Sequence, residues 1–441
     1  MSAATAIEPR PWRRALAWLA FLGPFFFATY GFATWASAQR AAVPFIAFDW
    51  ERSIPFWPWT IVPYWIIDAL YAASLFACAK RGELDTHAKR LLTAQVVAIV
   101  VFLAAPLRFS FVAPPVDGVA GAMFAVLRTF DQPFNQLPSL HVALAVILGA
   151  LYARKVAGLA RAAVIAGFAV IAASVLTTWQ HHFVDVPTGA LLGALCVWAW
   201  PFEDEGDGRP VASLWHSARD PARVRLARLY ALGAVLVGAL AVAVGGAALW
   251  AAWIAVSLAL VAAAYAALGP SAFRKKPDGR LSVAAQWLYA PYLAGAWINS
   301  RLWTRHAPGP VAVADGVFVG RVPTARELRA SQFAALVDVT AEFDVDAVGR
   351  RYALVPMLDL ATPAPDELKR AAQAIERLRG EGPLLVCCAL GRSRSACAVA
   401  AWLIATGRAR DADAAVAAVR ARQGLAVLGE RHVAALAGMA A

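Results

Sequence analysis

Cys388 precedes Arg394 by six positions in the string Leu384-Leu-Val-Cys-Cys-Ala-Leu-Gly-Arg-Ser-Arg-Ser-Ala396. A thiolate is a strong nucleophile, and a guanidinium can grip a phosphoryl group through two parallel hydrogen bonds. The pair therefore suits phosphoryl transfer through a cysteinyl-phosphate. With five cysteines in 441 residues and many arginines, spacing alone is a weak signal. Context strengthens it. Leu384–Val386 predicts a strand, Gly391 permits a tight loop, and Ala396–Thr406 predicts a helix. A loop closing onto a helix N-terminus aims backbone N–H groups at one point, where an anion is held and a thiolate favoured. Arg392 adds a second cation to that loop, beside Ser393 and Ser395.

A second constellation lies far upstream. Leu137-Pro-Ser-Leu-His141 opens one apolar run, and Gln180-His-His-Phe-Val-Asp185 separates two others. Two ionisable groups at the ends of apolar runs are costly unless they face a polar site. Phosphoryl transfer needs a nucleophile and an acid for the leaving oxygen, roles that histidines can fill. His181 and Asp185 stand four apart, so a helical segment would let the carboxylate hold the imidazole in one tautomer. His182 reads as packing or tautomer support, Asp68 as a helix-pair hydrogen bond, and His87, His216, His306 and His432 as incidental.

The elements that must position these groups are of two kinds. Hydrophobic residues make up 60% of the chain and charged ones 16%, and mean hydropathy is +0.57. That excludes a single soluble globule and a disordered chain. Apolar runs near 15–36, 61–79, 91–107, 139–153, 162–178, 186–202, 226–245 and 247–268 predict eight membrane spans, the last two joined by a tight turn at Gly245-Gly246. The net charge of +12 is concentrated before residue 308, which fits membrane topology and excludes a nucleic-acid footprint. Nineteen Lys and Arg residues fall on one set of connecting segments and four (Arg40, Arg52, Arg108, Arg128) on the other. Positive residues stay cytoplasmic, so segments 37–60, 108–138 and 179–185 are expected outside, and a cysteine at Gln136 should react there. Residues 281–298 read as a helix lying on the membrane surface, with a ninth span as the alternative. From Pro308 the pattern is that of a soluble α/β domain, with strands at Val317–Val319 and Leu336–Val339 and helices at Asp366–Arg379 and Asp411–Arg422. The five cysteines show neither an extracellular disulfide framework nor a metal site.

Residues 311–437 resemble the dual-specificity branch of the cysteine-based phosphatases. The segments Asp315-Gly-Val-Phe-Val-Gly320, Asp338-Val-Thr and Pro356-Met-Leu-Asp359 have counterparts there. The resemblance implies that Cys388 is the nucleophile, Arg394 binds phosphate with Gly391, Arg392 and Ser393, Ser395 helps the thiolate leave, and Asp359 is the general acid. Asp366 competes for that last role, although Asp366-Glu367 reads as a first helical turn. The family usually has His where Cys387 stands, which implies weaker tuning of the thiolate or a reversible Cys387–Cys388 redox state. The Gly-Arg-Ser-Arg-Ser-Ala string is similar to that of the phosphatidylglycerophosphate phosphatase group, with Ala389 replacing that group's loop lysine.

Residues 15–202 resemble the type 2 phosphatidic acid phosphatase superfamily, through Pro-Ser-x-His and His-x-x-x-Asp. That resemblance implies a phosphohistidine at His181, oriented by Asp185, with His141 protonating the leaving group and Ser139 helping to bind phosphate. The family's first motif is not legible, and Arg108 is its best stand-in. Leu140 and the doubled His181-His182 look more like the inositol-phosphorylceramide and sphingomyelin synthase branch. The chain thus resembles a bacterial fusion of the two families. The expected fold is a polytopic α-helical membrane domain (1–205, six spans), a segment with a two-span hairpin and interfacial helix (206–307), and a soluble α/β cysteine-phosphatase domain (308–441). The expected function is a bifunctional inner-membrane phosphatase or phosphotransferase acting on phosphorylated lipids, without metal or cofactor. The alternative is a membrane-anchored phosphatase of phosphoproteins whose membrane domain senses lipid.

Overall fold

The computed structural model describes residues 9–203, 208–216, 218 and 220–439. The chain forms two compact units, 1–202 and 203–441. The first is all helical: α1 (Trp12–Ala38), α2 (Ile61–Ala77), α3 (Arg81–Ala104), α4 (Gly118–Phe130), α5 (Leu140–Arg154), α6 (Gly158–Thr177) and α7 (Asp185–Ala199). α4 was not legible as a helix, because its thirteen residues lie in a segment read as an outer loop. α3 starts ten residues earlier than its apolar run. Its charged first turns are neutralised from other elements, Asp85 by Arg14 at 2.6 Å and Glu83 by Lys155 at 2.5 Å.

Among the described residues six helical stretches are long and apolar enough to cross a membrane: Trp12–Ala38, Pro58–Ala77, Arg81–Ala104, Gly158–Thr177, Pro221–Val244 and Gly246–Leu268. The other two expected spans, α5 and α7, have fifteen residues each. These two form the interior of the first unit and pack closely on each other. A Cβ on Gly189 would sit 2.3 Å from the Ser139 carbonyl oxygen, and one on Gly193 would sit 2.7 Å from that of Ala143. Small residues four apart on α7 therefore admit the backbone of α5, as at close helix crossings in membranes.

The second unit begins with a hairpin of α8 (Pro221–Val244) and α9 (Ala251–Ala263), turning at Gly245 and Gly246, both at positive φ. α9 runs into a π-helical turn, Ala264–Leu268. Two short helices follow, α10 (Val283–Leu288) and α11 (Ala290–Trp303). They occupy the stretch expected to lie on or cross the membrane, and neither is long enough to cross it.

The α/β part holds β1 (Val311–Ala314), β2 (Val317–Arg321), α12 (Ala325–Arg329), β3 (Ala335–Thr340), β4 (Arg351–Met357), α13 (Pro365–Leu378), β5 (Leu384–Cys388), α14 (Arg394–Ala405), α15 (Ala412–Arg422) and α16 (Glu430–Ala437). The sheet order is β1-β2-β5-β3-β4, parallel except for β1. β3 and β5 are fully buried, as central parallel strands must be. One face packs on α13 to α16, where Trp402 is completely enclosed. The other face meets α12 and, through Trp297, α11.

The segment expected as a linker is packed into this unit. Lys275 Nζ reaches Asp338 at 2.5 Å and the Thr340 hydroxyl at 2.8 Å, with both ends of the ion pair buried. Tyr352 donates its hydroxyl proton to the same carboxylate. Removing one partner of a buried ion pair costs about 3–5 kcal/mol, because the other charge is left without compensation. Lys275→Met should therefore lower the thermal midpoint at which phosphatase activity is lost, and adding Asp338→Asn should recover part of that loss. A double variant no better than Lys275→Met would show that the pair is not the stabilising contact.

Candidate active site

β5 delivers Cys388 to the end of the sheet, and the chain then closes a loop back onto the first residue of α14, Arg394. Gly391 makes that closure possible. Its φ is +70°, and a Cβ there would lie 2.4 Å from the Gly320 carbonyl carbon of β2. The loop carbonyls are turned outward. Ala389 accepts from the Ser300 hydroxyl at 2.6 Å, Gly391 from the Gln423 amide at 3.2 Å, and Arg392 from the Val427 N–H at 2.7 Å. Outward carbonyls leave the amide side of the loop for an anion. The Gly391 N–H and the Ser395 hydroxyl both donate to Cys388 Sγ, each at 3.2 Å.

Arg394 is fully buried and nearly saturated. Nη1 donates to Glu342 at 2.9 Å and to the Met357 carbonyl at 3.0 Å. Nη2 reaches Glu342 at 2.6 Å and Asp359 at 2.9 Å. Nε has no partner. The edge formed by Nε and Nη2 is thus the free fork of the guanidinium, with the Asp359 carboxylate on half of it. A phosphoryl group taking that edge would displace Asp359, whose carboxyl would then be released beside the leaving oxygen. Burial and the neighbouring Glu342 raise Asp359 above the ordinary carboxylate value, although Arg394 draws it down. Glu342 shifts the other way: burial alone would raise it, but Arg394 holds it low. Asp366 lies in the first turn of α13, as its sequence suggested.

Glu342 was not found by sequence reasoning, since a lone Glu in Thr340-Ala-Glu-Phe343 carries no motif. His432 is a correction. Read as incidental, it places Nε2 3.1 Å from the Ser393 hydroxyl while Nδ1 accepts from the Gly429 N–H. Burial lowers its basicity, so the neutral ring donates through Nε2 and braces the loop. Of the two consequences drawn from Cys387, the reversible Cys387–Cys388 redox state does not fit the strand geometry. Successive residues on β5 point to opposite faces. Cys387 packs with Leu336, Phe343 and Leu385, and Cys388 with the core on the other face. Burial, followed by the Asp338 charge, pushes the Cys387 thiol well up. Arg392 donates to the Trp303 carbonyl at 2.7 Å, away from the loop centre.

The first unit gathers its own polar cluster where α5 and α7 begin. His181 Nδ1 lies 3.1 Å from Asp185 Oδ2, which also accepts the His182 N–H at 3.0 Å. His181 precedes α7, so the contact comes from the turn before the helix. His141 stacks on Tyr64 at 4.2 Å, and its Nε2 is buried without a partner. Asp131, another residue without a sequence motif, accepts from Tyr30 at 2.7 Å and lies within electrostatic reach of His181. Ser139 is fully buried, and its hydroxyl caps α5 by accepting the Val142 N–H. The His182 ring is held at both nitrogens, with Nδ1 2.8 Å from Glu51 and Nε2 accepting the Ser110 N–H. Arg108 donates to the Val43 carbonyl and, with Arg52, lines a cavity of about 550 Å³. Gln136 is buried, so it is a poor labelling position.

The pH consequence follows from the Asp359 environment. A general acid at Asp359 would have to act protonated, and the charge of Glu342 raises its proton affinity. Glu342→Gln should move the basic limb of the kcat profile to lower pH, and the loosened Arg394 should cost at least about ten-fold in kcat/KM. A profile on an aryl phosphate with an unmoved basic limb would remove Glu342 from this role.

Three solved structures illustrate the likeness. Tk-PTP in its active form is 24% identical over 30% of this chain and 97% of its own, with a TM-score of 0.28. Human DUSP28 is 24% identical over 30% and 93%, with a TM-score of 0.26. PTPMT1 in complex with PI(5)P is 17% identical over 29% and 91%, with a TM-score of 0.27. No curated protein matches the chain. Residues 317–439, which carry Cys388, Arg394 and Asp359, match the dual specificity phosphatase catalytic domain, and that match supports a cysteine-based phosphatase in the C-terminal unit.

Proposed function

We propose that the chain is a bifunctional membrane phosphatase or phosphotransferase acting on phosphorylated lipids. The observation that supports the cysteine site is the Nε–Nη2 edge of Arg394, six residues after Cys388, where Nε has no partner and Nη2 is shared with the Asp359 carboxylate. Cys388 Sγ attacks phosphorus and the bond to the leaving oxygen breaks, with Asp359 supplying its proton. Water, deprotonated by Asp359, then attacks the cysteinyl-phosphate. Phosphate departs, and the Ser395 hydroxyl donates to the released thiolate. No metal takes part in these steps.

At the other site, the His181–Asp185 pair and the unpartnered His141 Nε2 support phosphohistidine chemistry. His181 attacks through the nitrogen not held by Asp185, and His141 gives a proton to the departing alcohol. Water or a second alcohol would then take the phosphoryl group. The six long apolar helices support a bilayer location. The charge asymmetry supports a cytoplasmic 308–441 with the His141–His181 site on the opposite face.

Cys388→Ser should abolish phosphatase turnover, by roughly 10³-fold or more, and leave any His181-dependent reaction intact. His181→Ala should do the reverse on a panel of lipid phosphates. Loss of both reactions in a folded Cys388→Ser protein would refute two separate sites. Turnover of a phosphotyrosine peptide alone, with no lipid phosphate hydrolysed, would favour the phosphoprotein alternative.

Sidedness can be read from the same chain. Val112 is 90% exposed, and all five native cysteines are buried. A cysteine at Val112 should react with an impermeant thiol reagent on intact cells, and one at the exposed Val427 should not. Reaction at Val427 alone would invert the topology.

A further inference from the structure

The hairpin of α8 and α9 does more than precede the phosphatase fold. Its π-helical turn presents Tyr265, which is almost fully enclosed, and the phenol donates to the backbone carbonyl of Asp359 at 2.7 Å. That carbonyl belongs to the residue assigned as the general acid. The next residue, Leu360, has φ +55°, a left-handed conformation that costs an L side chain energy and persists only where the surroundings hold it. Leu360 is itself 68% exposed, so its own side chain cannot be what holds it. The Tyr265 hydrogen bond is a direct restraint on that strained peptide.

Tyr265 is braced in turn from the other arm of the hairpin. Arg223, in the first turn of α8, donates Nε to the Tyr265 carbonyl at 3.2 Å and Nη2 to that of Ala264 at 3.5 Å. Tyr230 stacks on the Tyr265 ring with centroids 5.6 Å apart. π turns place a side chain where an α-helix would not, and the sequence supplies no glycine or proline between Ala264 and Leu268 to force one. The remainder of the hairpin is apolar and uncovered: in its two most apolar windows 11% and 22% of residues are buried, and Leu232, Val235, Leu236 and Leu240 are exposed. Its length and hydropathy fit a bilayer as the occupant of that surface.

We infer that Tyr265 is a positioning residue of the phosphatase, through which the membrane hairpin sets the loop carrying Asp359. Proton delivery to the leaving group is then tied to the seating of the hairpin in lipid, and the substrate phosphate meets its acid at the membrane end of the unit. The inference rests on Asp359 as the general acid and does not depend on which phosphomonoester is the natural substrate.

The test uses the full chain in phosphatidylcholine–phosphatidylglycerol vesicles, with 4-nitrophenyl phosphate, whose leaving group departs unaided, and phenyl phosphate, whose leaving group needs a proton. Tyr265→Phe keeps the ring and removes the hydrogen bond. It should lower kcat on phenyl phosphate about ten-fold, change kcat on 4-nitrophenyl phosphate less than about two-fold, and leave both KM values unchanged. Tyr289→Phe, in the same aromatic neighbourhood but bonded to Ala272, should change neither substrate. If Tyr265→Phe fails to fold, Arg223→Lys, which withdraws the brace on the π turn, should give the same selective loss. Equal loss on both substrates, or no loss on either, overturns the role of Tyr265. Asp359→Asn separates the premise from the inference. If it slows both substrates equally, Asp359 is not the acid; if it is selective while Tyr265→Phe is not, Tyr265 alone is refuted.

Discussion

A buried guanidinium that keeps one nitrogen without a partner organises the site end of the C-terminal unit. Arg394 cannot lose its charge, so burial obliges the fold to surround it with acceptors. Glu342 supplies them from the end of β3, and Met357 and Asp359 from the end of β4, while Nε stays bare. That requirement is met where the ends of β3, β4 and β5 lie side by side in the parallel sheet. It also decides which carboxylate is rigid. Glu342 is bound through both oxygens and enclosed, whereas Asp359 is held through one and remains partly open. A fixed counterion and an exchangeable one are what a site needs if an anion is to enter and an acid is to be released by its arrival.

The first unit meets a similar demand by a different route. Its candidate groups stand at the N-terminal ends of two short helices, and they approach because Gly189 and Gly193 let α7 lie against the backbone of α5. The two basic residues of the neighbouring cavity, Arg52 and Arg108, come from a 3-10 turn (Asp49–Ser53) before α2 and from the irregular segment after α3. Helix packing sets the spacing of the histidines, while loop conformation sets the place of the arginines.

Most of the α/β strands and helices were legible because each announces itself locally, as an apolar run, a capped amphipathic helix, or a glycine-bearing loop between them. The 388–394 loop was legible for the same reason. What could not be read were contacts made between distant segments by residues without a pattern: Glu342 beneath Arg394, His432 against Ser393, and Asp131 beside Tyr30. Helix ends were misjudged where charge is paired in three dimensions, as in α3, whose Asp85 and Glu83 find Arg14 and Lys155 across the bundle. Hydropathy counts such charges as breaks. Residues 281–298 show the converse, since an apolar rhythm that suits a membrane surface serves equally well against the sheet, where Trp297 meets Phe343 at 5.6 Å.

The hydroxyl of Ser300 on the Ala389 carbonyl, and the Trp303 carbonyl under Arg392, place two supports of the phosphate loop outside the stretch that aligns with known phosphatases. Homology and cooperativity therefore draw different borders on this chain. The matched stretch starts at residue 317, yet its 388–394 loop is held by a helix ending at Trp303, and its strand β3 is held by Lys275 from the segment before that. A module grown into its neighbour in this way has lost its portability: recombination at the homology border would transfer the nucleophile without the struts that shape its loop. The 270–305 segment thereby bears on the shape of a loop whose atoms it reaches only through Ser300 and Trp303.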